Sequence, residues 1–370
     1  MKISILLLAV VLNSNAWAAG IIGDTVFPYE VTAEDEALAS LAMGPFADAQ
    51  NAQAVATYDP FHSTTYFSGQ PKTIAFASCN FQRLSQDHFK VIASMKPDVW
   101  VWLGDIIYAD ILPMNLRRGE YRHVKMATGY QQLRKESVIL GVWDDHDYGY
   151  NNVGEDFKDK KESQRLILDF LDEPAASPRR TQEGIYWTYR FGPADQQVRI
   201  VLLDLRYFRE VAGPDHDLLG AEQWKFLEDE LVQGAQPALT IIGSSTQFLP
   251  TEHNGDRWDQ YPRARQRLLN LVSNLPEKVI FLSGDVHFGE VSRSEGLARG
   301  KIIEEVTASG LTHAGLGAHS SVNRLRVGNA VQRNHFGVIQ MDWARAQPQP
   351  SYEIRSVDGS VLESGRFFAN

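Results

Sequence analysis

Residues 98–105 read Asp-Val-Trp-Val-Trp-Leu-Gly-Asp, an unbroken apolar run that ends in a glycine and a carboxylate. The β-branched and aromatic side chains of this run predict a short β-strand. Ligands of open α/β sheets bind at the carboxyl ends of the strands. Asp105, the residue at this strand end, is therefore the first candidate functional residue.

The same pattern continues on both sides of this stretch, where short β-rich runs alternate with longer amphipathic segments. Further strands are predicted at 73–78, 138–142, 187–191, 198–203, 239–243 and 279–283, and helices at 87–95, 119–135, 158–171, 221–232 and 263–274. The C-terminal part favours strands at 291–293, 301–308, 336–341 and 352–366, with a hairpin turn at 357–360. Sequential βα units followed by antiparallel strands predict an α/β fold in which two packed sheets have helices outside.

Composition narrows the class of protein. The chain has 370 residues, ordinary apolar and charged fractions and a formal net charge of −10, which excludes a disordered or fibrous protein. The chain lacks the excess of Lys and Arg that nucleic-acid binding usually requires, so no nucleic-acid partner is expected. An anionic substrate must therefore be held by local cations.

The N-terminus has the pattern of a secretory signal peptide over residues 1–18. Lys2 precedes an apolar run at 3–12, and Ala16-Trp17-Ala18 follows as a cleavage pattern. The run is too short to span a bilayer, so we expect a periplasmic or secreted protein without a transmembrane anchor, the alternative being an uncleaved anchor. Residues 19–71 are predicted to be an extension packed on a main domain of residues 72–370.

Residues that can bind metal ions follow four of the predicted strands. These strand ends are Ser78-Cys79-Asn80, Gly104-Asp105-Ile106-Ile107-Tyr108-Ala109-Asp110, Trp143-Asp144-Asp145-His146-Asp147 and Gly284-Asp285-Val286-His287. Each alone is also typical of a turn or a solvated loop, and Cys79, the only cysteine, could be a buried thiol or form an intermolecular bridge. Their joint occurrence at strand ends favours a metal site, because a polyvalent cation relieves the repulsion between crowded carboxylates.

The order of these four motifs resembles that of the alkaline phosphatase D family, within the calcineurin-like metallophosphoesterases. The resemblance covers Lys72 to about Asp342. It implies a four-layer αββα sandwich, made of two mixed sheets flanked by helices. It also implies a phosphoric ester hydrolase that uses two or more metal ions to activate water.

The resemblance assigns roles residue by residue. It implies an iron-type site formed by Cys79, Tyr108 and His287. Asp145 and Asp285 would form a second site, for a divalent ion such as calcium. Asp105 would be the carboxylate that bridges the two. Thiolate and phenolate donors suit iron, and carboxylates suit a harder divalent ion. His146 matches the residue that contacts the phosphate and protonates the leaving oxygen, and Asp147 the carboxylate that orients this imidazole.

Other positions depart from the family pattern or leave alternatives open. Residues 244–247 follow strand 239–243, where relatives place a metal-binding histidine. Gln247, the last of them, either contacts substrate or makes a structural hydrogen bond. His253 either reaches the site or lies on the surface. Arg206 either holds a phosphate oxygen or forms an ion pair with Asp204 or Glu210. Asn151 either contributes to the second site or turns the chain, and His313, in a late Ser/Thr/Gly-rich loop, is a further candidate for substrate contact.

Three functions are compatible with these residues. The first is a secreted phosphatase that acts on small phosphate esters. The second is a phosphodiesterase or phospholipase-type esterase, which would differ only in its pocket. The third is an inactive binding protein of the same fold, and retention of all four motifs, His146 included, argues against it. The sequence leaves the oligomeric state open.

Overall fold

The computed structural model describes residues 69–110, 112–193, 196–232, 236–315, 322–344 and 348–369, together with the backbone of 18–22 and 25–29. The chain divides into two compact units, residues 1–62 and 63–370. In the first unit, β1 (Ala18–Ile22) and β2 (Thr25–Tyr29) pair antiparallel. Residues 1–17 of the predicted signal peptide lie outside the described residues, and the packing of residues 19–71 stays a prediction.

One sheet of the second unit has six strands. Its parallel centre consists of β3 (Thr73–Ala77), β4 (Val99–Leu103) and β5 (Val138–Val142). Three antiparallel strands extend it beyond β3, and these are β13 (His335–Asp342), β14 (Gln349–Ser356) and β15 (Val361–Arg366). The spatial order is therefore β15-β14-β13-β3-β4-β5.

The other sheet has seven strands. They are β6 (Trp187–Phe191), β7 (Val198–Leu202), β8 (Leu239–Gly243), β9 (Lys278–Ser283), β10 (Gly289–Ala298), β11 (Lys301–Ala308) and β12 (Arg326–Val331). In the order β12-β10-β11-β9-β8-β7-β6, strands β7, β8, β9 and β11 run parallel, and the others are antiparallel to their neighbours. Both sheets are mixed, as the family resemblance implied.

Helices cover the outer faces of the sheets. They are α1 (His88–Ser94), α2 (Met114–Met126), α3 (Thr128–Glu136), α4 (Asp145–Tyr148), α5 (Lys160–Phe170), α6 (Gly220–Val232) and α7 (Pro262–Ser273). On the six-stranded sheet, the Trp102 ring contacts Phe89 of α1, Tyr130 of α3 and Phe170 of α5. This aromatic layer gives the tryptophans of the opening stretch a packing role.

Side chains of β7 alternate between two cores. Ile200 and Leu202 belong to the core that also contains residues of the six-stranded sheet. Val201, between them, belongs to a separate core with Trp224 of α6 and Leu268 of α7. Because successive side chains of a strand point to opposite faces, this alternation separates the inner from the outer layer. The fold is the predicted four-layer sandwich.

The two sheets meet at their strand ends. Just after β3, the Ser78 N–H donates to Ala308 O of β11 at 3.1 Å, and the Leu311 N–H donates back to Ser78 O at 3.2 Å. Gly284, which follows β9, lies against Ser78: a Cβ at this position would be 2.4 Å from Ser78 Oγ. This close approach of backbones requires glycine at position 284.

The structure differs from the predicted elements in two respects. The helix predicted over 119–135 is two helices, α2 and α3, because Ala127 between them has ψ 127°, outside the helical region. Strand β12 was not predicted, since its exposed residues and Gly328 (φ +72°) hide the apolar alternation. The run 352–366 is the predicted hairpin, with β14 starting three residues earlier at Gln349.

Gly284→Ala tests the contact between the sheets. The added methyl would lie 2.7 Å from Ser78 Cβ and 3.0 Å from Leu103 O, so the strand ends must separate. We expect a loss of about 1–3 kcal/mol in the free energy of unfolding, measured by chemical denaturation. Gly296→Ala in β10 is the matched control, because no heavy atom lies within 4 Å of its Cβ; equal stability of the two variants would contradict the prediction.

Candidate metal centre

The carboxyl ends of β3, β4, β5 and β9 bring six of the predicted site residues into three overlapping clusters. The potential ligand atoms within each cluster lie within 4.8 Å of one another; the clusters are Cys79–Asp105–His287, Asp105–Asp145–His146 and Asp144–Asp145–Asp285. Asp105 belongs to the first two and Asp145 to the last two. Shared carboxylates are what a centre with more than one cation requires.

Cys79 is fully buried at the junction of the two sheets. Its Sγ lies 3.1 Å from Ser309 Oγ, 3.3 Å from Ser78 Oγ and 3.5 Å from Asp105 Oδ2. Burial raises the pKa of this thiol to about 11, although the two serine hydroxyls oppose that shift. Without a cation the group is therefore a neutral thiol, and metal binding would displace its proton.

Tyr108 adds a phenol to the first cluster. Its hydroxyl donates to Asp105 Oδ2 at 3.2 Å and lies 3.3 Å from His287 Nε2. Burial, and then the charge of Asp105, raise the pKa of Tyr108 well above its usual value. The thiol, phenol, carboxylate and imidazole predicted for the iron-type site thus lie side by side.

The buried carboxylates have bonding capacity left over. Oδ1 of Asp105 and Oδ2 of Asp144 are buried and have no hydrogen-bond partner among the described residues. Burial raises the pKa of Asp144 to about 6 and that of Asp105 and Asp285 well above the usual range, with neighbouring charges adding to the shift of the latter two. Orphaned buried oxygens at this density fit polyvalent cations, which would hold the carboxylates ionised.

Arg206 forms the ion pair that was the alternative to phosphate binding, but its partners were not foreseen. The guanidinium is fully buried; its Nε donates to Asp144 Oδ1 at 2.5 Å and its Nη1 to Asp256 Oδ2 at 2.8 Å. Of the N–H groups of Arg206, Asp204, one predicted partner, accepts the backbone one, at 2.9 Å, and not those of the guanidinium. Although burial opposes ionisation, Arg206 holds the pKa of Asp145 below its usual range.

The carboxylate that orients His146 is Asp110. His146 Nδ1 donates to the two Asp110 oxygens at 2.7 and 2.8 Å, and the Asn151 N–H donates to Asp110 Oδ2 at 3.1 Å. The predicted pairing of Asp147 with this imidazole is wrong. Asp147 instead accepts the backbone N–H of Ile106 at 3.0 Å and that of Ile107 at 3.1 Å, because adjacent residues of a helical turn point in different directions.

Of the remaining candidates, Gln247 and Asn151 make structural hydrogen bonds, whereas His313 lies in the site. Gln247 makes the structural hydrogen bonds, from Nε2 to Glu290 and Thr307 at 2.8 Å each. Asn151 offers its backbone N–H to Asp110, as described above. His313 lies in the site, with its Nε2 3.3 Å from His287 Nε2. His253 is buried rather than on the surface, and its Nδ1 accepts the Gly255 N–H at 3.1 Å.

The backbone at the site is strained. Cys79, Asp105, Asp285 and His287 have φ values of +59°, +50°, +72° and +57°, a left-handed conformation that costs non-glycine residues of the order of 1 kcal/mol each. Such strain persists only when the surrounding structure enforces it. The hydrogen bonds at the sheet junction enforce it here, and they fix the side chains before any ligand binds.

Sequence reasoning missed Asp110, Asp144 and Ser309 as residues of the site. Asp110 and Asp144 stand inside the quoted motifs, and the Asp-His spacing alone did not indicate which carboxylate faces the imidazole. No sequence pattern indicated Ser309 as a site residue. Its hydroxyl accepts the His287 N–H at 2.8 Å and lies beside Cys79.

A sandwich of two mixed sheets, with carboxylates, imidazoles and a thiol gathered at its strand ends, is the architecture of a metallophosphoesterase. The family model described as PhoD-like phosphatase matches residues 74–349, and the chain belongs to that family. It is a metal-dependent phosphoric ester hydrolase.

Solved structures share the fold. The structure of PhoD has a TM-score of 0.60 and 17% identity, over 81% of this chain and 72% of that one. Purple acid phosphatase PPD1 from yellow lupin seeds gives 0.55 and 15%, over 80% of this chain, which spans 54% of that protein. GAP50, the anchor in the inner membrane complex of Plasmodium, gives 0.54 and 10%, over 80% of this chain and 88% of that one. No curated protein sequence matches the chain.

Asp110→Asn tests the imidazole pairing. Burial alone would lower the pKa of His146, but Asp145 and Asp110 outweigh it and raise the pKa above its usual value. Removing the Asp110 charge should lower that pKa, because a carboxylate favours the charged imidazole, so activity that needs the protonated imidazole should decline at a lower pH. The pH dependence of kcat measures the shift.

Asp147→Asn is the matched control. It removes a charge of the same type from the neighbouring residue, and we expect lower stability, by about 1–2 kcal/mol, because the backbone N–H groups of Ile106 and Ile107 lose their carboxylate. The alkaline limb of the pH profile should keep its position. A shift in the Asp147 variant and none in the Asp110 variant would restore the original assignment.

Proposed function

We propose that this chain is an exported phosphatase whose centre holds two cations, with Asp105 between them. The observation that carries the proposal is the overlap of the three buried clusters through Asp105 and Asp145. Cys79, Tyr108 and His287 would hold an iron ion on one side. Asp145 and Asp285 would hold a divalent ion such as calcium on the other, with the orphaned oxygen of Asp144 beside them.

The donor chemistry supports this division. Thiolate and phenolate are strong anionic donors suited to iron, whereas the Asp144–Asp145–Asp285 cluster offers only carboxylate oxygens, which suit a harder divalent ion. When bound, such cations neutralise phosphoryl charge and lower the pKa of a coordinated water. An acidic chain can hydrolyse an anionic ester because the centre supplies the positive field.

His146 is placed to act as the general acid. Its ring lies 4.3 Å from that of Tyr108, centroid to centroid, and Asp110 fixes Nδ1, so Nε2 remains for the leaving oxygen. The Asp110 carboxylate stabilises the imidazolium through this hydrogen bond, and the imidazolium is the form that can donate a proton. Its proton would pass from Nε2 to the ester oxygen as the phosphorus–oxygen bond breaks.

Removal of single residues separates metal binding from catalysis. His146→Ala should keep about two metal ions per chain and lose about 10²-fold or more in kcat, because only the proton donor is gone. Asp105→Asn should lose both metal and turnover, because the shared carboxylate is gone. Elemental analysis and hydrolysis assays measure the two quantities.

The exposed pair Asp229–Lys225 on α6 provides the control, and Asp229→Asn should match the parent in both measurements. Parent protein that contains no transition metal and remains fully active after strong chelation would defeat the two-cation proposal. The parent's rates on p-nitrophenyl phosphate, bis-p-nitrophenyl phosphate and phospholipids indicate the substrate class; preference for either of the last two would replace the phosphatase by a diesterase or phospholipase.

Export is supported by the N-terminal pattern that ends at Ala18 and by the commitment of the single thiol to a metal, which would protect it from oxidation. None of the described helices combines the length and apolarity needed to cross a bilayer. We expect the mature protein to be periplasmic or secreted and to begin at Ala19. N-terminal sequencing of protein purified from its native host tests this, and an intact Met1 in a cytosolic fraction would contradict it.

A further inference from the structure

The loop that follows β11 places a third imidazole at the centre. His313 is only 3% exposed, and its Nε2 lies 3.3 Å from Nε2 of His287. Its ring stands edge-on to that of His287, at 78° with centroids 4.5 Å apart, and edge-on to that of Tyr108, at 81° and 5.2 Å. The Nε2 atom is therefore directed at the group predicted to bind the iron-type ion.

The hydrogen bonds of Thr312 determine which ring nitrogen of His313 carries the proton. Thr312 Oγ1 accepts the Phe81 N–H at 2.7 Å, and its own hydrogen can go to His313 Nδ1 at 2.9 Å or to Cys79 O at 3.4 Å. The shorter contact makes Nδ1 an acceptor. In that tautomer Nε2 of His313 carries the hydrogen and donates it to His287 Nε2.

Metal binding would change the partner of this hydrogen. A cation held with Cys79 and Asp105 would take the lone pair of His287 Nε2, which then could no longer accept a hydrogen bond. The His313 N–H would remain buried, and an unsatisfied buried donor is costly. An oxygen atom of a ligand bound next to that cation would satisfy this donor.

We infer that His313 binds the substrate phosphate, by donating its Nε2 hydrogen to a phosphoryl oxygen; this inference rests on the proposed function. In Arg206, the cation that could have done so, Nε and Nη1 donate to Asp144 and Asp256, while the buried Nη2 has no hydrogen-bond partner among the described residues. His146 and His313 both contact the Tyr108 ring, with centroids 4.3 and 5.2 Å from it. Both imidazoles thus lie beside one phenol, and His313 also lies next to His287.

Two substitutions of His313 isolate this hydrogen bond. In His313→Asn the amide can occupy the position of Nδ1 and keep the Thr312 contact, but no donor reaches the Nε2 position. In His313→Gln an amide N–H can occupy the Nε2 position. Binding of inorganic phosphate to the metal-loaded proteins is measured by calorimetry, together with metal content and the visible absorption band of an iron thiolate or phenolate.

We expect His313→Asn to keep both metals and the absorption band, and to bind phosphate about 10- to 100-fold more weakly. His313→Gln should regain most of that loss. Unchanged phosphate binding in His313→Asn would overturn the inference and leave the proposed function intact. Loss of metal or a shifted band in the Asn variant would also overturn it, because His313 would then be a metal ligand. Parent protein that binds no metal would overturn both proposals.

Discussion

Repulsion among buried carboxylates at the strand ends is the constraint on which the rest of the structure depends. Asp105, Asp144 and Asp145 are buried and Asp285 is half-buried beside them, and ionised carboxylates in such a place cost of the order of several kcal/mol each unless they are compensated. Arg206 is a buried counter-ion to this group, and it is shared with Asp256. Burial raises the pKa values of Asp105, Asp144 and Asp285, and bound cations would hold these carboxylates ionised.

Such crowding needs a backbone that brings strand ends unusually close. Gly104 lies where a Cβ would be 2.4 Å from Asp144 Cβ, and Gly284 lies equally close to Ser78. The residue after each glycine is an aspartate in the left-handed conformation. The two Gly-Asp pairs thus play the same part: the glycine lets a second strand end approach, within one sheet at Gly104 and between the two sheets at Gly284, and the turn that follows directs the carboxylate into the shared site.

Much of this could be predicted from the sequence, because strand periodicity and strand-end chemistry are local properties. The parallel strands, the hairpin at 357–360 and the gathering of Cys79, Asp105 and His287 followed from short motifs. The partner of His146 did not, since Asp110 and Asp147 are equally plausible by spacing and only the direction of the α4 turn distinguishes them. The role of Arg206 likewise depends on Asp256, 50 residues away in the chain, which no local pattern indicates.

The position of Cys79 has a mechanical consequence. Cys79 follows a strand of the six-stranded sheet, and His287 follows a strand of the seven-stranded sheet. An ion coordinated by both residues would cross-link the two sheets. The single cysteine of the chain cannot form an internal disulfide, so a disulfide within the chain cannot do this. A chelator would therefore act on this protein as a reductant acts on a disulfide-bonded one. It would remove the cross-link between the sheets, and with it stability, as well as the catalytic activity.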